Sequence, residues 1–306
     1  MKIDYSVVIP VYNSEKSLEE LCSGIISVFK KSEKNIEIIF VDDFSSDDSW
    51  EKIKILKENY PEIVKGIKLS KNFGQHNATL CGFNFSNGEY IITIDDDLQT
   101  MPSEINKLIA AQKENNSDLT YGISSNKKHS AYRNIGSKSL KKTSKKLYNA
   151  PGEGSSFRLI NKELVKKILQ HNHNFIYLDE IFFWYTDEIA FVEVEHCKRK
   201  YEKSGYSSRK LLKLFSNIII YYTTIPLKFM VYGGMIFSII SFILGIIFIV
   251  KKIFFNVPLG YTSLMVTILF STSIILLGLG TIGEYLRRIY MVQNKKPSYS
   301  IKKILK

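Results

Sequence analysis

The chain has 306 residues, 45% of them aliphatic, aromatic or cysteine, and a formal net charge of +12. That length excludes both a minimal domain and a many-domain chain, and the charge asks for an anionic partner: nucleic acid, a phosphorylated substrate or anionic lipid. Three widely spaced cysteines, Cys22, Cys81 and Cys197, form neither a metal-ligand nor a paired-disulfide pattern, which suits a reducing compartment.

In chain order, the N-terminus enters a fold at once, with no signal-peptide pattern before the apolar run "YSVVIP" at 5–10, a buried strand. A helix capped near Asn13 or Ser14 is predicted to run to about Lys31. The run "IEIIFV" (36–41) is a second strand, and "SSDDSWEKIKILKENY" carries N-cap residues followed by helical spacing. A third strand spans 63–69, a helix Gln75–Asn84, a fourth strand 89–94, a helix 103–115, and "DLTYGI" is a fifth strand. Strands alternating with helices of this length imply an α/β fold with a doubly wound, mostly parallel sheet. Such sheets bind ligands beyond the carboxyl ends of their strands.

Four consecutive strands deliver polar groups to that edge. They are Pro10, Tyr12 and Asn13 after the first, Asp42 and Asp43 after the second, Lys71 after the third, and Asp95, Asp96 and Asp97 after the fourth. Three adjacent carboxylates repel one another and resist losing water, so a divalent cation is the natural counter-charge. Alternation along an extended strand end would turn Asp95 and Asp97 one way and Asp96 the other. Asp95 and Asp97 suit Mg2+ or Mn2+, with Gln99 as a further oxygen ligand and a diphosphate on the open positions. Asp96 alone reads equally well as a turn cap.

The C-terminal third changes character. Phe229–Val250 and Thr262–Gly283 carry no charged residue, and each exceeds the ~20 residues a helix needs to cross a bilayer. Pro258 and Gly260 lie in the short segment between them, as in a tight connection of two antiparallel spans. The competing reading is a buried helical hairpin. Basic residues crowd the outer flanks (Arg199, Lys200, Arg209, Lys210 and Lys213 before; Arg287, Arg288, Lys295 and Lys296 after), which places both ends on the cytoplasmic side. Membrane-proximal charge of this kind argues against a nucleic-acid partner. The segment 206–228 reads as an amphipathic juxtamembrane stretch, and Gly278, Gly280 and Gly283 suit close helix contact in a homo-oligomer.

Taken together, "YSVVIPVYN", "FVDDFSSDDS", "LSKNFGQHNATLCGF", "NGEYIITIDDDLQTMP" and "GSSFRLINKE" resemble the family 2 glycosyltransferases of GT-A fold. Their order, and the two-helix hairpin that follows, are similar to the membrane-tethered polyprenyl-phosphate group, which includes dolichyl-phosphate mannose synthase and the undecaprenyl-phosphate aminoarabinose transferases. The resemblance implies a Rossmann-like cytoplasmic domain over 1–205, a juxtamembrane segment 206–228, two transmembrane helices within 229–284 and a basic tail 285–306. It implies an inverting, metal-dependent transfer from a nucleotide sugar to polyprenyl phosphate at the inner membrane of a bacterial cell. The alternatives are a sugar hydroxyl of a lipid-linked glycan as acceptor, or a nucleotide-sugar binder without turnover.

By the same resemblance, Pro10, Tyr12, Asn13, Asp42, Asp43, Lys71, Asp95 and Asp96 bind the nucleotide. Asp95, Asp97 and Gln99 hold the metal. Asp97, Arg133, Arg158, Asp179 and Glu180 serve catalysis, the two arginines facing phosphates and the acidic pair acting as base where the acceptor is a hydroxyl. His196, Arg199, Ser204, Tyr206, Arg209 and Lys210 lie on the acceptor and membrane side. The chain departs from the family pattern at Phe44, where glycine is common, and at Ser156, where some polyprenyl-phosphate enzymes have aspartate.

Overall fold

The computed structural model describes residues 2–30, 32–124, 154–170, 177–197, 260–293 and 297–305, with scattered positions between 232 and 254. The chain divides into two compact units. One comprises Met1–Gly205 together with Pro297–Lys306, the other Tyr206–Lys296.

The first unit is built on an eight-stranded mixed sheet. Its elements in order are β1 (Tyr5–Val11), α1 (Leu18–Lys30), β2 (Ile36–Asp42), α2 (Ser49–Asn59), β3 (Val64–Leu69), α3 (Gln75–Phe85), β4 (Tyr90–Thr93), α4 (Ile105–Asn115), β5 (Leu119–Ser124), β6 (Arg158–Asn161), α5 (Lys162–Leu169), α6 (Leu178–Phe182), β7 (Ile189–Val194) and β8 (Ile301–Leu305). The strand order is β7-β5-β6-β4-β1-β2-β3-β8. The central block β4-β1-β2-β3 is parallel, as the alternating pattern implies, and β5 pairs with β7 in parallel. β6 runs antiparallel between β4 and β5, and β8 antiparallel against β3.

Central parallel strands are covered on both faces, which is why β1 is apolar apart from Ser6 and every residue of it is buried. α1 presents Leu18, Leu21, Cys22, Ile25 and Phe29 to the core at helical spacing. It starts at Leu18, later than the cap expected at Asn13 or Ser14. Residues 14–17 instead form a turn, closed by the Ser17 amide donating to the Ser14 carbonyl at 3.1 Å.

Residues 285–306 are not simply a basic tail. A long helix, α7 (Tyr261–Gln293), extends through their first part, and Ile301–Leu305 form β8 on the sheet edge. In the second unit, the described helical positions 232, 236, 239, 240, 243, 246, 247, 250 and 254 are apolar and exposed, as are many along α7. Among the described residues, no helix is long and apolar enough to cross a membrane. The segment 206–228 and most of the first expected span lie outside the described residues.

Candidate active site

The carboxyl ends of β1, β2, β3 and β4 bring the expected polar groups to one edge. β4 ends at Thr93, and by Asp96 the backbone is in a turn, with Leu98 at φ 56°. Strand alternation therefore does not govern where Asp97 points, contrary to the sequence expectation. Asp95 and Asp96 still part company. Asp95 Oδ1 accepts from Gln75 Nε2 at 2.6 Å, and its Oδ2 accepts from Ser156 Oγ at 2.5 Å. Asp96 Oδ2 accepts from the Tyr12 amide at 3.0 Å and from Ser14 Oγ at 2.5 Å, so it clamps the loop after β1 to the loop after β4. Desolvation pushes the Asp96 carboxyl up to about 7, opposed by the Ser14 and Tyr12 bonds and reinforced by the charges of Asp95 and Asp97. Asp97 Oδ1 accepts from the Gln99 amide at 3.1 Å, which closes its own turn.

The β2 end is built more deeply. Asp42 is fully buried, accepts from the Ser45 amide at 2.9 Å and faces Lys68 Nζ at 3.4 Å. Asp43 spends one oxygen on the Phe73 amide (2.7 Å) and the other on the Gly74 amide (2.8 Å), fixing the turn that starts α3. Burial pushes its carboxyl up to about 6, against the pull of those two amides. Pro10 is buried inside β1, whereas Tyr12 is exposed. Asn13, at φ 57°, receives the Ser46 amide on its side-chain oxygen at 2.8 Å and so ties the β1 and β2 loops together. The Lys71 ammonium lies 5.0 Å from the Phe73 ring centroid.

Arg158, expected to face phosphates, is only 3% exposed. Its guanidinium donates to Thr93 Oγ1 at 3.1 Å and to Asp179 Oδ1 at 2.6 Å, between the rings of Phe182 (5.1 Å) and Tyr121 (5.9 Å). The Tyr121 hydroxyl donates to the same Asp179 oxygen at 2.9 Å. Gly154 leaves no room there for a side chain, since a Cβ would stand 2.8 Å from the Asp179 carboxyl carbon. Thr93 Oγ1 in turn donates to the Ser156 carbonyl. A continuous polar chain thus runs from Asp95 through Ser156 and Thr93 to the Arg158–Asp179 pair.

Glu180 is buried beside Asp179, and its Oε2 has no hydrogen-bond partner among the described residues. Burial, then the Asp179 charge, pushes its carboxyl up to about 7.

Two residues on α3 were not singled out from the sequence. Gln75 holds Asp95. His76 packs its ring against Tyr177 at 5.0 Å, and desolvation, outweighing the Asp179 charge, takes it down to about 4, so it is neutral near pH 7. The signal was "GQHN" at the carboxyl edge of β3, where the strand-end rule already pointed.

Gln99 faces the segment after β7. The Cys197 amide donates to the Gln99 carbonyl at 2.7 Å, and Gln99 Nε2 reaches the Cys197 carbonyl at 3.5 Å. That pairing places His196 next to the acidic turn in the chain. Arg133, Arg199, Ser204, Tyr206, Arg209 and Lys210 lie outside the described residues. Among the described residues, no group of three or more His, Cys, Asp or Glu side chains is arranged to hold a metal ion. Magnesium and manganese need no such cluster, since one or two carboxylates with substrate phosphates and waters complete their shell.

Comparison with known proteins supplies context for this edge. The domain of glycosyl transferase family 2 matches residues 6–169. An undecaprenyl-phosphate 4-deoxy-4-formamido-L-arabinose transferase of Proteus mirabilis is 31% identical over 305 residues, covering 98% of this chain and 93% of that protein. The protein of the same name from Photorhabdus laumondii is 31% identical, with 98% and 94% covered. Among solved structures, mannosyl-3-phosphoglycerate synthase from Rubrobacter xylanophilus superposes with a TM-score of 0.52 at 12% identity, covering 71% of this chain and 74% of that one. At that identity the likeness concerns the fold alone.

Proposed function

The chain belongs to glycosyl transferase family 2, and we propose that it moves a sugar from a nucleoside diphosphate donor to undecaprenyl phosphate or a similar polyprenyl phosphate. The observation that carries this reading is the acidic edge at the end of β4. Asp95 is held there by Gln75 and Ser156, one residue from the clamp that Asp96 makes to the β1 loop. The acceptor class comes from the relatives' name, shared along nearly the whole length of this chain.

In this reading Asp95 and Asp97 hold Mg2+ or Mn2+, which supplies charge neutralisation for the leaving diphosphate. The donor set fits: two carboxylates on a partly exposed turn, with positions left for phosphate oxygens. The loop Tyr12–Asn13 and the β2 end take the nucleoside. Lys71 lies on the same edge and adds positive charge.

The acceptor needs no protein base. A phosphate monoester is already largely ionised near neutral pH, with a second pKa of ~6, whereas a sugar hydroxyl would need one. Asp179 fits that economy. One of its oxygens already receives both Arg158 and Tyr121, so the pair positions the β4–β6 wall of the site rather than moving a proton.

The second unit is proposed as a two-helix membrane anchor. Residues up to Gly205 and from Pro297 onward share one compact unit, so any crossings between them come in an even number. The uncharged runs 229–250 and 262–283 supply two. Exposed apolar residues along their described helical positions fit contact with lipid rather than water. With basic flanks on both outer sides, the catalytic unit lies at the cytoplasmic face.

The test is direct. Purified full-length protein in vesicles containing undecaprenyl phosphate, given Mn2+ and a panel of radiolabelled nucleotide sugars, is expected to form an anionic, organic-soluble glycolipid from one of them. Label that stays in the aqueous phase for every donor would refute the acceptor assignment.

A further inference from the structure

Phe44 occupies an unusual position. It follows the buried Asp42–Asp43 pair, its φ is 64°, and the residue is 44% exposed. A left-handed backbone costs a residue with a Cβ roughly 1 kcal/mol or more, which glycine would avoid. A large aromatic residue kept here at that cost, and exposed besides, calls for an occupant of its ring face.

The C-terminal strand approaches that ring. β8 approaches the sheet from the far end of the chain, and its first residues pass the carboxyl end of β3. There the Ser70 amide donates to the Ser300 carbonyl at 2.8 Å. The β3–β8 register pairs Lys68 with Lys303 and Leu69 with Ile301, so Lys302 is the extra residue of a β-bulge. Bulges re-aim side chains, and this one places Lys302 Nζ 6.0 Å from the Phe44 ring centroid. Just upstream, Tyr299 is partly buried towards Cys81 of α3, where burial pushes its phenol up to about 12, and so seats the segment.

We propose that the C-terminal strand is part of the donor site, with the Phe44 ring and the Lys302 ammonium forming the wall against which the nucleobase of a nucleoside diphosphate stacks. This rests on the donor-binding reading above and extends it to a residue far outside the family-matched range 6–169. The supports are independent of one another: the strained, exposed aromatic at the β2 end, and the bulge that delivers a cation to it. A planar base stacks on an aromatic side chain irrespective of its hydrogen-bonding edge, and a cation over a ring adds to the attraction. Tyr12, exposed at the neighbouring β1 end, offers a second ring on the same edge.

The experiment measures binding of UDP, GDP, CDP and TDP, and of pyrophosphate as a ligand without a base, to full-length protein with Mn2+ by calorimetry. For the nucleotide that the wild type binds most tightly, Phe44→Gly is expected to weaken affinity about tenfold and Lys302→Gln about threefold. Phe44→Tyr should retain it, and pyrophosphate affinity should be unchanged in all three. Phe44→Gly should not lower the melting temperature, because glycine adopts this φ without strain, so a loss of binding will not reflect unfolding. Unchanged nucleotide affinity in Phe44→Gly and Lys302→Gln, or an equal loss for pyrophosphate, overturns the role of the C-terminal strand while leaving the donor reading intact. A wild-type protein that binds none of the four nucleotides overturns both.

Discussion

Glu180 sets a cost that a change of pH exposes. Its carboxyl is raised from about 4.5 to about 7 by burial. Below the unfolded value it carries a proton in both states. Between the two values the folded protein holds a proton that the unfolded chain has released. Stability contributed by this group is therefore present at acid pH and lost as pH rises towards 7, by on the order of 3 kcal/mol. Glu180→Gln removes the titration. Its melting temperature, compared with wild type at pH 5 and pH 8, is expected to gain relative to wild type at the higher pH. An unchanged difference across that range would show that Glu180 is not held protonated. At this same scale the sequence was only partly informative. It marked Asp95, Asp96, Asp97, Asp179 and Glu180 as chemically special. It had no means of seeing that Arg158 and Asp179 neutralise each other in the interior, because that pairing joins β6 to α6 across the fold.

Among elements, the parallel core was the most legible part. β1, β2 and β4 are short, mostly apolar runs closed by turn residues and buried along nearly their whole length, whereas Lys65 and Lys68 interrupt β3. β6, β7 and β8 were missed, β6 and β8 for physical reasons. β6 is four residues long and begins with a buried arginine. β8 reads "IKKIL", and its two lysines, exposed on a sheet edge, look like tail charge, although lysine is a common guard of edge strands. The strand nevertheless matters for stability. Leu305 lies over Gly66, where a Cβ would come within 3.1 Å of its side chain, and Leu305 packs against the main core cluster. Deleting residues 301–306 uncovers the β3 edge and is expected to cost on the order of 3 kcal/mol, a fall in melting temperature of roughly 6–12 °C. A truncated protein that melts with the wild type would mean that β8 is only loosely held.

For the whole molecule, a phosphorylated donor and acceptor, as proposed above, match the sign of the +12 charge. The chain leaves its first unit after Gly205 and rejoins it at Pro297, so the membrane anchor proposed between those points would return to the side it left. Single cysteines in a Cys197→Ser background check this in whole cells, since Cys22 and Cys81 are buried. A membrane-impermeant maleimide added outside should label Lys252→Cys and spare Lys306→Cys. Labelling of both, or of Lys306→Cys alone, would contradict an even number of crossings with a cytoplasmic catalytic unit.

The acidic turn after β4 is proposed to hold the donor's diphosphate through a divalent cation. The most direct test is the electron paramagnetic resonance signal of free Mn2+, titrated with full-length protein in the presence and absence of the tightest-binding nucleoside diphosphate. The nucleotide is expected to sharpen Mn2+ uptake to one ion per chain, and Asp95→Asn with Asp97→Asn is expected to weaken it roughly a hundredfold while the protein stays folded. Equal Mn2+ uptake by the doubly substituted and wild-type proteins would contradict the proposal.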